Sequence, residues 1–209
     1  QRNEEVIYSS PSTYEFNTNH WHAEALPNNY PAKINRTVGS WGGYKMLWSF
    51  YDTFDQNDLR LSGIAASYTT DDGQVINREN PHDSRHGVET GPIPVKYGLD
   101  PNQQGWIGGW DKIVYRYADV ILSMAEILNE LETTANVNAP VMTQEGKDGN
   151  TYQSDGGNTA LSFVNAIRVR AGLEPYSGLS KEQLRDSILM ERGHEFYCEG
   201  TRRRDLIRY

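Results

Sequence analysis

Aromatic side chains alternate with amide, acidic and basic side chains in residues 20–44, a stretch well equipped to bind a ligand. Sugars present flat apolar C–H faces edged with hydroxyl groups, so a sugar site needs aromatic platforms and a hydrogen-bonding rim. Aromatic side chains on predicted loops are the better platforms, because functional side chains concentrate on loops. The predicted ligand-binding residues are Trp21, Asn29, Tyr30, Arg36, Trp41 and Tyr44.

Two glycines, Gly42 and Gly43, follow Trp41 directly. We expect them to let the backbone approach a ligand closely and to leave Trp41 exposed. A second and weaker candidate platform is the segment Trp106-Ile-Gly-Gly-Trp110. Packing is the alternative for every one of these rings, because a single tryptophan more often covers a core than a ligand.

Glu191 and Glu195 are the acids whose spacing could support catalysis. Glycosidases use two carboxyl groups about 5–9.5 Å apart, and residues four apart on one helix can fall near that separation. With Arg192 and Glu199, however, they are spaced for ion pairing along a predicted helix, which usually fixes helix packing. The sequence contains no Gly-x-Gly-x-x-Gly, Walker, Gly-x-Ser-x-Gly or His-Glu-x-x-His motif. We therefore predict no catalytic residue and no enzyme activity.

His20 and His22, with Glu24 nearby, are the best candidates for metal ligands. Residues two apart lie on one side of an extended strand, but no further cysteine or acid completes an obvious ligand set. The aspartates between residues 52 and 58 lack the glycine and the terminal glutamate of an EF-hand loop. We predict no metal site and no cofactor.

Composition excludes several classes of protein. The 209-residue chain has a formal net charge of −8, which argues against a nucleic-acid partner, because nucleic-acid binders usually carry a basic face. Its single cysteine, Cys198, excludes a disulfide scaffold and is expected to be buried within a helix. No apolar run approaches the roughly 20 residues of a membrane-spanning helix. Gln1 follows no signal peptide and Tyr209 ends a helical pattern abruptly, so we expect an interior piece of a longer protein.

The sequence divides into two unlike halves. Residues 1–110 are rich in turn-forming and aromatic residues and are expected to form the ligand face. Residues 111–209 are mostly helical and are expected to form the scaffold, with both halves in one larger domain. Periodicity and capping signals predict helices over residues 44–54, 112–132, 159–171 and after a capping box at Ser180, and strands over residues 5–9 and 93–97. A polar linker, residues 133–158, is predicted to be a surface loop.

An apolar stripe on the first long helix should let it pair with the second as an antiparallel hairpin, with alanines permitting close approach. Trp48 and Tyr51 lie on the predicted short helix with other apolar residues, so we assign them to the core. The predicted stripe consists of Val114, Tyr117, Ala118, Ile121, Leu122, Ala125 and Leu128.

Three sequence blocks of the helical half occur in an order that resembles the SusD/RagB family of outer-membrane nutrient-binding lipoproteins. They are RYADVILSMAEILNE at residues 116–130, NAIRVRAG at residues 165–172, and the ER…E…EGxRxxDL pattern at residues 191–206. Asp58-Leu-Arg60 and Lys96-Tyr97 also look like family features. The clear similarity covers about the last hundred residues and is loose before Asp58, and the long linker departs from the family pattern.

The resemblance implies a mainly α-helical fold with tetratricopeptide-like helix pairs and a long irregular region that contributes to the ligand face. It implies a lipid-anchored protein on the outer face of the Bacteroidetes outer membrane, with the anchor upstream of this chain. It also implies that the protein binds a glycan and delivers it to a SusC-like TonB-dependent transporter. The alternatives are a SusD-like binder of a peptide or another nutrient, a protein-interaction scaffold, and a glycosidase.

Overall fold

The computed structural model of the chain describes residues 3–31, 40–82, 86–98, 100–103 and 105–209. Its helices are α1 (Trp21–Ala25), α2 (Trp48–Tyr51), α3 (Tyr117–Leu131), α4 (Ala160–Arg170), α5 (Lys181–Glu195) and α6 (Arg202–Arg208), with a 3-10 helix at Leu59–Gly63. Its strands are β1 (Val6–Ser10), β2 (Ile64–Ala65), β3 (Tyr68–Thr69), β4 (Val75–Ile76), β5 (Ile93–Pro94), β6 (Lys112–Arg116), β7 (Thr143–Glu145) and β8 (Thr151–Gln153). The strands form two-stranded sheets, in which β1 pairs with β6, β2 with β5, β3 with β4 and β7 with β8. No helix in the described part of the chain is long and apolar enough to cross a membrane.

The chain forms two compact units. The helical unit comprises Gln1–Tyr8, Gln56–Arg60 and Ile113–Tyr209, and the loop unit comprises Ser9–Asp55 and Leu61–Lys112. The long helices α3, α4 and α5 all belong to the helical unit. Within its described residues, the loop unit has short helices and two-residue strands, apart from the ends of β1 and β6 that it shares with the helical unit.

The core of the helical unit lies between α3, α4 and α5. Ala118 and Ala125 on α3 and Ala160 and Ala166 on α4 are all buried, as expected for two helices that approach closely. Larger apolar side chains from all three helices fill the space around them. This core contains Ile121, Leu122, Leu128, Phe163, Val164, Ile167, Leu184, Ile188 and Phe196.

The first long helix begins later than the sequence pattern predicts. Lys112–Arg116 is the strand β6, and the helix starts at Tyr117. The sequence KIVYR is rich in β-branched and aromatic residues, which favour a strand when a partner such as β1 is available. The predicted apolar stripe is therefore wrong at its first two positions, because the side chains of Val114 and Tyr117 are exposed.

The boundaries of α4 and the start of α5 confirm their predictions. Thr159 caps α4 by accepting a hydrogen bond from the amide of Ser162, and Gly172 follows the helix with φ +74°. Ser180 and Gln183 form both hydrogen bonds of the predicted capping box at the start of α5. Local chemistry is enough to fix these helix ends.

The last predicted helix is interrupted. α5 ends at Glu195 and α6 begins at Arg202, because Cys198 and Gly200 adopt φ values of +64° and +77° that a helix does not allow. Glu199 therefore lies in the turn and not on α5. The expectation of a buried helical cysteine is wrong, since Cys198 is half-buried and outside a helix.

The polar linker contains a β-hairpin that the sequence does not predict. β7 and β8 pair antiparallel around a turn at residues 146–150, in which Gly149 has φ +79°. The ammonium group of Lys147 donates hydrogen bonds to the carbonyl oxygens of Asp58 (2.7 Å) and Gln56 (3.2 Å). The hairpin therefore packs against residues 56–58 within the helical unit instead of extending freely as a loop.

The loop unit has a small apolar core of its own. Trp48 packs against it, as predicted, and its indole nitrogen donates to the carbonyl oxygen of Val88 (3.0 Å). The predicted helix at residues 44–54 shortens to α2, and Leu47 before it is 68% exposed. The predicted strand at residues 93–97 shortens to β5. The buried members of this core are Leu26, Tyr68, Ile76, Val88 and Ile93.

Candidate functional site

The segment that carries Trp41 runs along the short helix α1 in the loop unit. The amide of Trp41 donates to the carbonyl oxygen of Ala23 (2.7 Å), and the amide of Gly43 donates to that of Glu24 (2.6 Å). The amide of Ser40 donates to the side-chain oxygen of Asn28. These bonds fix the backbone on both sides of Trp41, whose side chain is 47% exposed.

The two glycines after Trp41 allow the backbone to pack against α1, and Trp41 is exposed, as expected. Gly42 is buried and has φ +60°, a conformation that favours glycine. A Cβ atom at Gly43 would lie 3.3 Å from the carbonyl oxygen of Glu24. Both glycines therefore allow the segment to lie close against α1.

The second candidate platform, at residues 106–110, meets the first. Gly108 and Asn19, just before α1, exchange backbone hydrogen bonds of 2.7 and 3.3 Å. This bridge brings Trp106 against Trp41, with ring centroids 5.3 Å apart and ring planes at 60°. Trp106 is 43% exposed. Two exposed tryptophan rings therefore make an edge-to-face contact on the surface of the loop unit.

Trp21 lies at the start of α1 and not on a loop, so our expectation of its position is wrong. It is half-buried, and its ring stacks on Tyr44 with centroids 5.2 Å apart and planes at 13°. The Tyr44 hydroxyl donates to Glu24 Oε2 (3.0 Å). Tyr97 contacts the edge of Trp21 at 5.3 Å and stacks on Trp110 at 5.1 Å. Trp21 thus supports Tyr44, which is 44% exposed.

Asp100 anchors the loop that carries Trp106. Its buried carboxylate accepts hydrogen bonds from the Tyr14 hydroxyl (2.9 Å) and from the amides of Gly109 (2.8 Å) and Asn102 (2.9 Å). Burial by itself would raise the pKa of Asp100, but these hydrogen bonds and the nearby His22 lower it overall. The loop is therefore held by an ionised carboxylate.

The remaining predicted ligand-binding residues lie elsewhere. Asn29 accepts a hydrogen bond from the Tyr68 hydroxyl (2.9 Å), and Tyr30 packs against Tyr68 with centroids 5.0 Å apart, beside the apolar core. Arg36 lies outside the described residues. The structure thus brings Trp21 to Tyr44 and Trp41 to Trp106, and it places Asn29 and Tyr30 against the core of the loop unit.

The two histidines do not share a face of a strand as expected. His22 lies in α1, where its Nε2 is 3.3 Å from the carbonyl oxygen of Tyr97, and His20 Nε2 is 2.9 Å from the Thr18 hydroxyl. Among the residues that the structure describes, no group of three or more histidine, cysteine or acidic side chains could hold a metal ion.

Glu191 and Glu195 lie in a buried cluster of ion pairs in the helical unit. Arg60 Nη1 lies 2.6 Å from Glu191 and 3.2 Å from Glu195, and Arg60 Nη2 lies 2.7 Å from Asp58. Arg116 lies 2.6 Å from Glu195. Both glutamates are nearly inaccessible to solvent, at 1% and 4% exposure. They pair with arginines from other segments, not along α5 as expected.

In this cluster, burial disfavours the charged forms, and the neighbouring opposite charges favour them. Burial disfavours the charge on Arg60, but the carboxylates of Glu191, Asp58 and Glu195 outweigh it and raise its pKa. Burial also raises the pKa of Glu191, against the attraction of Arg60 and Arg168. The raised pKa of Glu191 favours a neutral acid, whereas the raised pKa of Arg60 requires an ionised carboxylate beside it. We take Glu191 as ionised, because an arginine keeps its proton and its guanidinium lies 2.6 Å away.

Sequence reasoning overlooked two residues of the candidate site. Asp100 begins an Asp-Pro-Asn sequence in which its side chain accepts from the amide two residues later, a turn that such sequences favour. That signal predicts a turn but not the distant Tyr14 hydroxyl. The sequence suggests Glu24 only as a metal ligand, and no local pattern indicates its hydrogen bond to Tyr44.

Comparisons with known proteins identify relatives of the chain. The sequence profile of the SusD family matches residues 46–209, which agrees with the resemblance of the three blocks. No curated protein sequence matches the chain.

Solved structures share the fold across nearly the whole chain. Surface glycan-binding protein A from Bacteroides uniformis has a TM-score of 0.66 and 22% identity, with 99% of this chain and 37% of that chain covered. The Bacteroides thetaiotaomicron protein of the same name, in complex with laminarihexaose, has a TM-score of 0.63 and 18% identity, with 98% and 42% covered. A SusD superfamily protein from Parabacteroides distasonis has a TM-score of 0.61 and 19% identity, with 93% and 37% covered. The chain therefore spans about two fifths of the length of these proteins.

Proposed function

The chain belongs to the SusD family, and from that premise we propose that it binds an oligosaccharide or polysaccharide on the surface of its loop unit. The observation that carries this proposal is the contacting pair of exposed tryptophans, Trp41 and Trp106, with the exposed ring of Tyr44 three residues after Trp41 in the sequence. Exposed aromatic faces are costly to leave in water and suit the C–H faces of sugars. Two proteins of similar fold are named surface glycan-binding proteins, and one of them is solved with laminarihexaose, which supports the proposal.

The proposal extends to the cellular role. The longer protein sits on the outer face of the outer membrane through a lipid anchor upstream of this chain. There it passes its glycan to a SusC-like TonB-dependent transporter. Within it, the helix pairs of the helical unit are tetratricopeptide-like, and residues 1–110 and 111–209 belong to one larger domain.

Binding without catalysis is part of the proposal. Glu191 and Glu195, the acids with suitable spacing, are closed off from solvent and occupied by arginines. A glycosidase needs its acid and its nucleophile or base to reach the glycosidic bond.

The test is glycan binding by the full-length protein. Affinity electrophoresis in a panel of soluble polysaccharides, followed by calorimetry on the best ligand, measures it for the natural protein and for Trp41→Ala and Trp106→Ala. We expect each substitution to weaken binding by about tenfold or more, which corresponds to about 1.4 kcal/mol.

Tyr115→Ala is the matched control, because Tyr115 is an equally exposed aromatic residue of the helical unit, at 47%. It should leave the affinity unchanged, and circular dichroism should show that all variants are folded. Binding of a peptide but of no glycan in the panel would overturn the proposal. Undiminished glycan binding in both tryptophan variants would overturn the position of the site.

A further inference from the structure

We infer that the candidate site selects glycans whose successive sugar rings turn relative to one another, and that it discriminates against flat, ribbon-like chains. This inference rests on the proposed function and concerns the shape of its ligand. The angle between the exposed rings carries it.

The two exposed tryptophans cannot both support one flat chain. The planes of Trp41 and Trp106 differ by 60°, with their centroids 5.3 Å apart. A sugar stacks with its C–H face parallel to an aromatic ring, so two rings at this angle bind two sugars whose faces are inclined to each other. A chain with parallel sugar faces can stack on only one of them.

The backbone that carries the two tryptophans is held by hydrogen bonds, and the two rings contact each other. The backbone of Trp41 is bonded to α1 through Ala23, and the loop of Trp106 is tied to Asn19 through Gly108 and to Asp100 through Gly109. A preorganised site loses little conformational entropy on binding, but it also adapts poorly to a ligand of another shape. The angle between the two rings can therefore select between glycans by the inclination of their successive sugar rings.

A third exposed ring, that of Tyr44, follows Trp41 by three residues. Tyr44 is held by the stacked ring of Trp21 and by the carboxylate of Glu24. Three steps along the chain separate Tyr44 from Trp41, so their Cα atoms lie at most about 11 Å apart. Because the centroids of Trp41 and Trp106 are only 5.3 Å apart, the two tryptophans contact neighbouring sugars, and the turn between consecutive sugar rings matters most.

Glycosidic linkage decides whether a chain turns. In β-1,4-linked glucose and mannose chains, the linkages leave the sugar faces nearly parallel and the chain extends as a ribbon. In β-1,3- and α-1,4-linked glucose chains, each linkage rotates the next sugar and the chain coils. Hexasaccharides of these types have the same length, so they isolate the effect of shape.

The experiment is calorimetry of the full-length protein with laminarihexaose, maltohexaose, cellohexaose and mannohexaose. We expect the best of the two coiling ligands to bind about tenfold more tightly than either ribbon ligand, or better. In Trp106→Ala, the remaining platform should accept either shape, so the ratio of affinities should fall toward one. Tyr115→Ala should leave the ratio unchanged.

Each result decides between the two proposals. Equal or tighter binding of cellohexaose or mannohexaose overturns the inference and leaves the proposed function in place. Binding of a polysaccharide without binding of any of the four hexasaccharides also overturns the inference and leaves the proposed function in place. Failure to bind any glycan overturns both. If Trp106→Ala abolishes all binding, the inference is tested by the natural protein alone, through the ratio of its affinities for the coiling and the ribbon hexasaccharides.

Discussion

The two units of this chain position their side chains by different means. In the helical unit, regular helices supply the frame, and buried arginines and carboxylates join segments that are far apart in sequence, such as Arg60 with Glu191. In the loop unit, regular structure is sparse, and stacked rings together with hydrogen bonds to Asn19 and Asp100 hold the segments. Both units expose aromatic side chains, but the helical unit buries a cluster of ion pairs, and the loop unit brings two exposed tryptophans, Trp41 and Trp106, into contact.

The difference indicates where ligand binding can occur. Charges that satisfy one another inside a unit are not available to a ligand, and removing one of them leaves its partner uncompensated. Loops held by a few precise bonds can present large side chains to solvent without disturbing a core. We therefore expect substitutions in the helical unit to affect stability most and substitutions at the loop surface to affect binding most.

The largest effect on stability should come from Glu195→Gln. The substitution removes a carboxylate that pairs with Arg60, Arg116 and Arg170 and leaves these cations in a buried place. We expect the free energy of unfolding to fall by about 3–5 kcal/mol, measured by urea denaturation of the full-length protein. Glu130→Gln, in the exposed pair with Arg185, should cost no more than about 1 kcal/mol. Equal losses would show that burial of the cluster is unimportant.

Asp100→Asn should have the next largest effect and should reveal the charge that holds the loop unit. The amide cannot accept every hydrogen bond that the carboxylate accepts, so we expect a loss of about 2–3 kcal/mol at pH 7. Because the pKa of Asp100 is lowered in the folded protein, its contribution is present above the ordinary aspartate pKa of about 3.9 and is lost as the pH falls through the lowered value. Urea midpoints of the two proteins should therefore converge below about pH 4. A constant difference between pH 7 and pH 3 would contradict the role of the charge.

Gly109→Ala tests how closely the Trp106 loop is packed. A Cβ atom there would lie 2.8 Å from Cζ of Tyr14, whose hydroxyl is fixed by Asp100. Overpacking should destabilise the protein by about 1–2 kcal/mol and weaken glycan binding as the loop shifts. At Gly98, where a Cβ atom meets nothing within 4 Å, alanine should change neither property in thermal unfolding or calorimetry. Similar results for both glycines would mean that the loop has room to adapt.

The smallest effect should come from Ser180→Ala, which removes the cap of α5. The amide of Gln183 loses its acceptor, and we expect a loss of about 1 kcal/mol in urea denaturation. Ser187→Ala, within the same helix, should be neutral or slightly stabilising, because alanine is the better helix former. A loss as large as that of Glu195→Gln would mean that local caps matter as much as buried charges in the helical unit.

Prediction from sequence succeeds where the signal is local. The ends of α4 and α5 follow from Thr159, Gly172 and Ser180, each of which acts on its own neighbours. Prediction from sequence fails where the structure of a segment depends on a partner that is distant in the sequence. Residues 112–116 continue a helical pattern but form β6 because β1 is present to pair with them. The hairpin of β7 and β8 has polar three-residue strands without an apolar alternation, so no pattern marks it.

The candidate site shows the same limit. Composition points to Trp41 and, more weakly, to Trp106 as ligand platforms, but only the bridge between Asn19 and Gly108 brings the two rings together. The angle of 60° between them depends on hydrogen bonds to Ala23 and Asp100 that no local pattern encodes. Residue types therefore suggest the chemistry of the ligand, and the fold is needed to suggest its shape.

The most direct test of this account is a crystal structure of the full-length protein with its tightest-binding hexasaccharide. We expect sugar rings stacked within about 4.5 Å of Trp41 and Trp106, with their faces inclined to each other. A glycan bound elsewhere, with both tryptophan rings left uncovered, would contradict it.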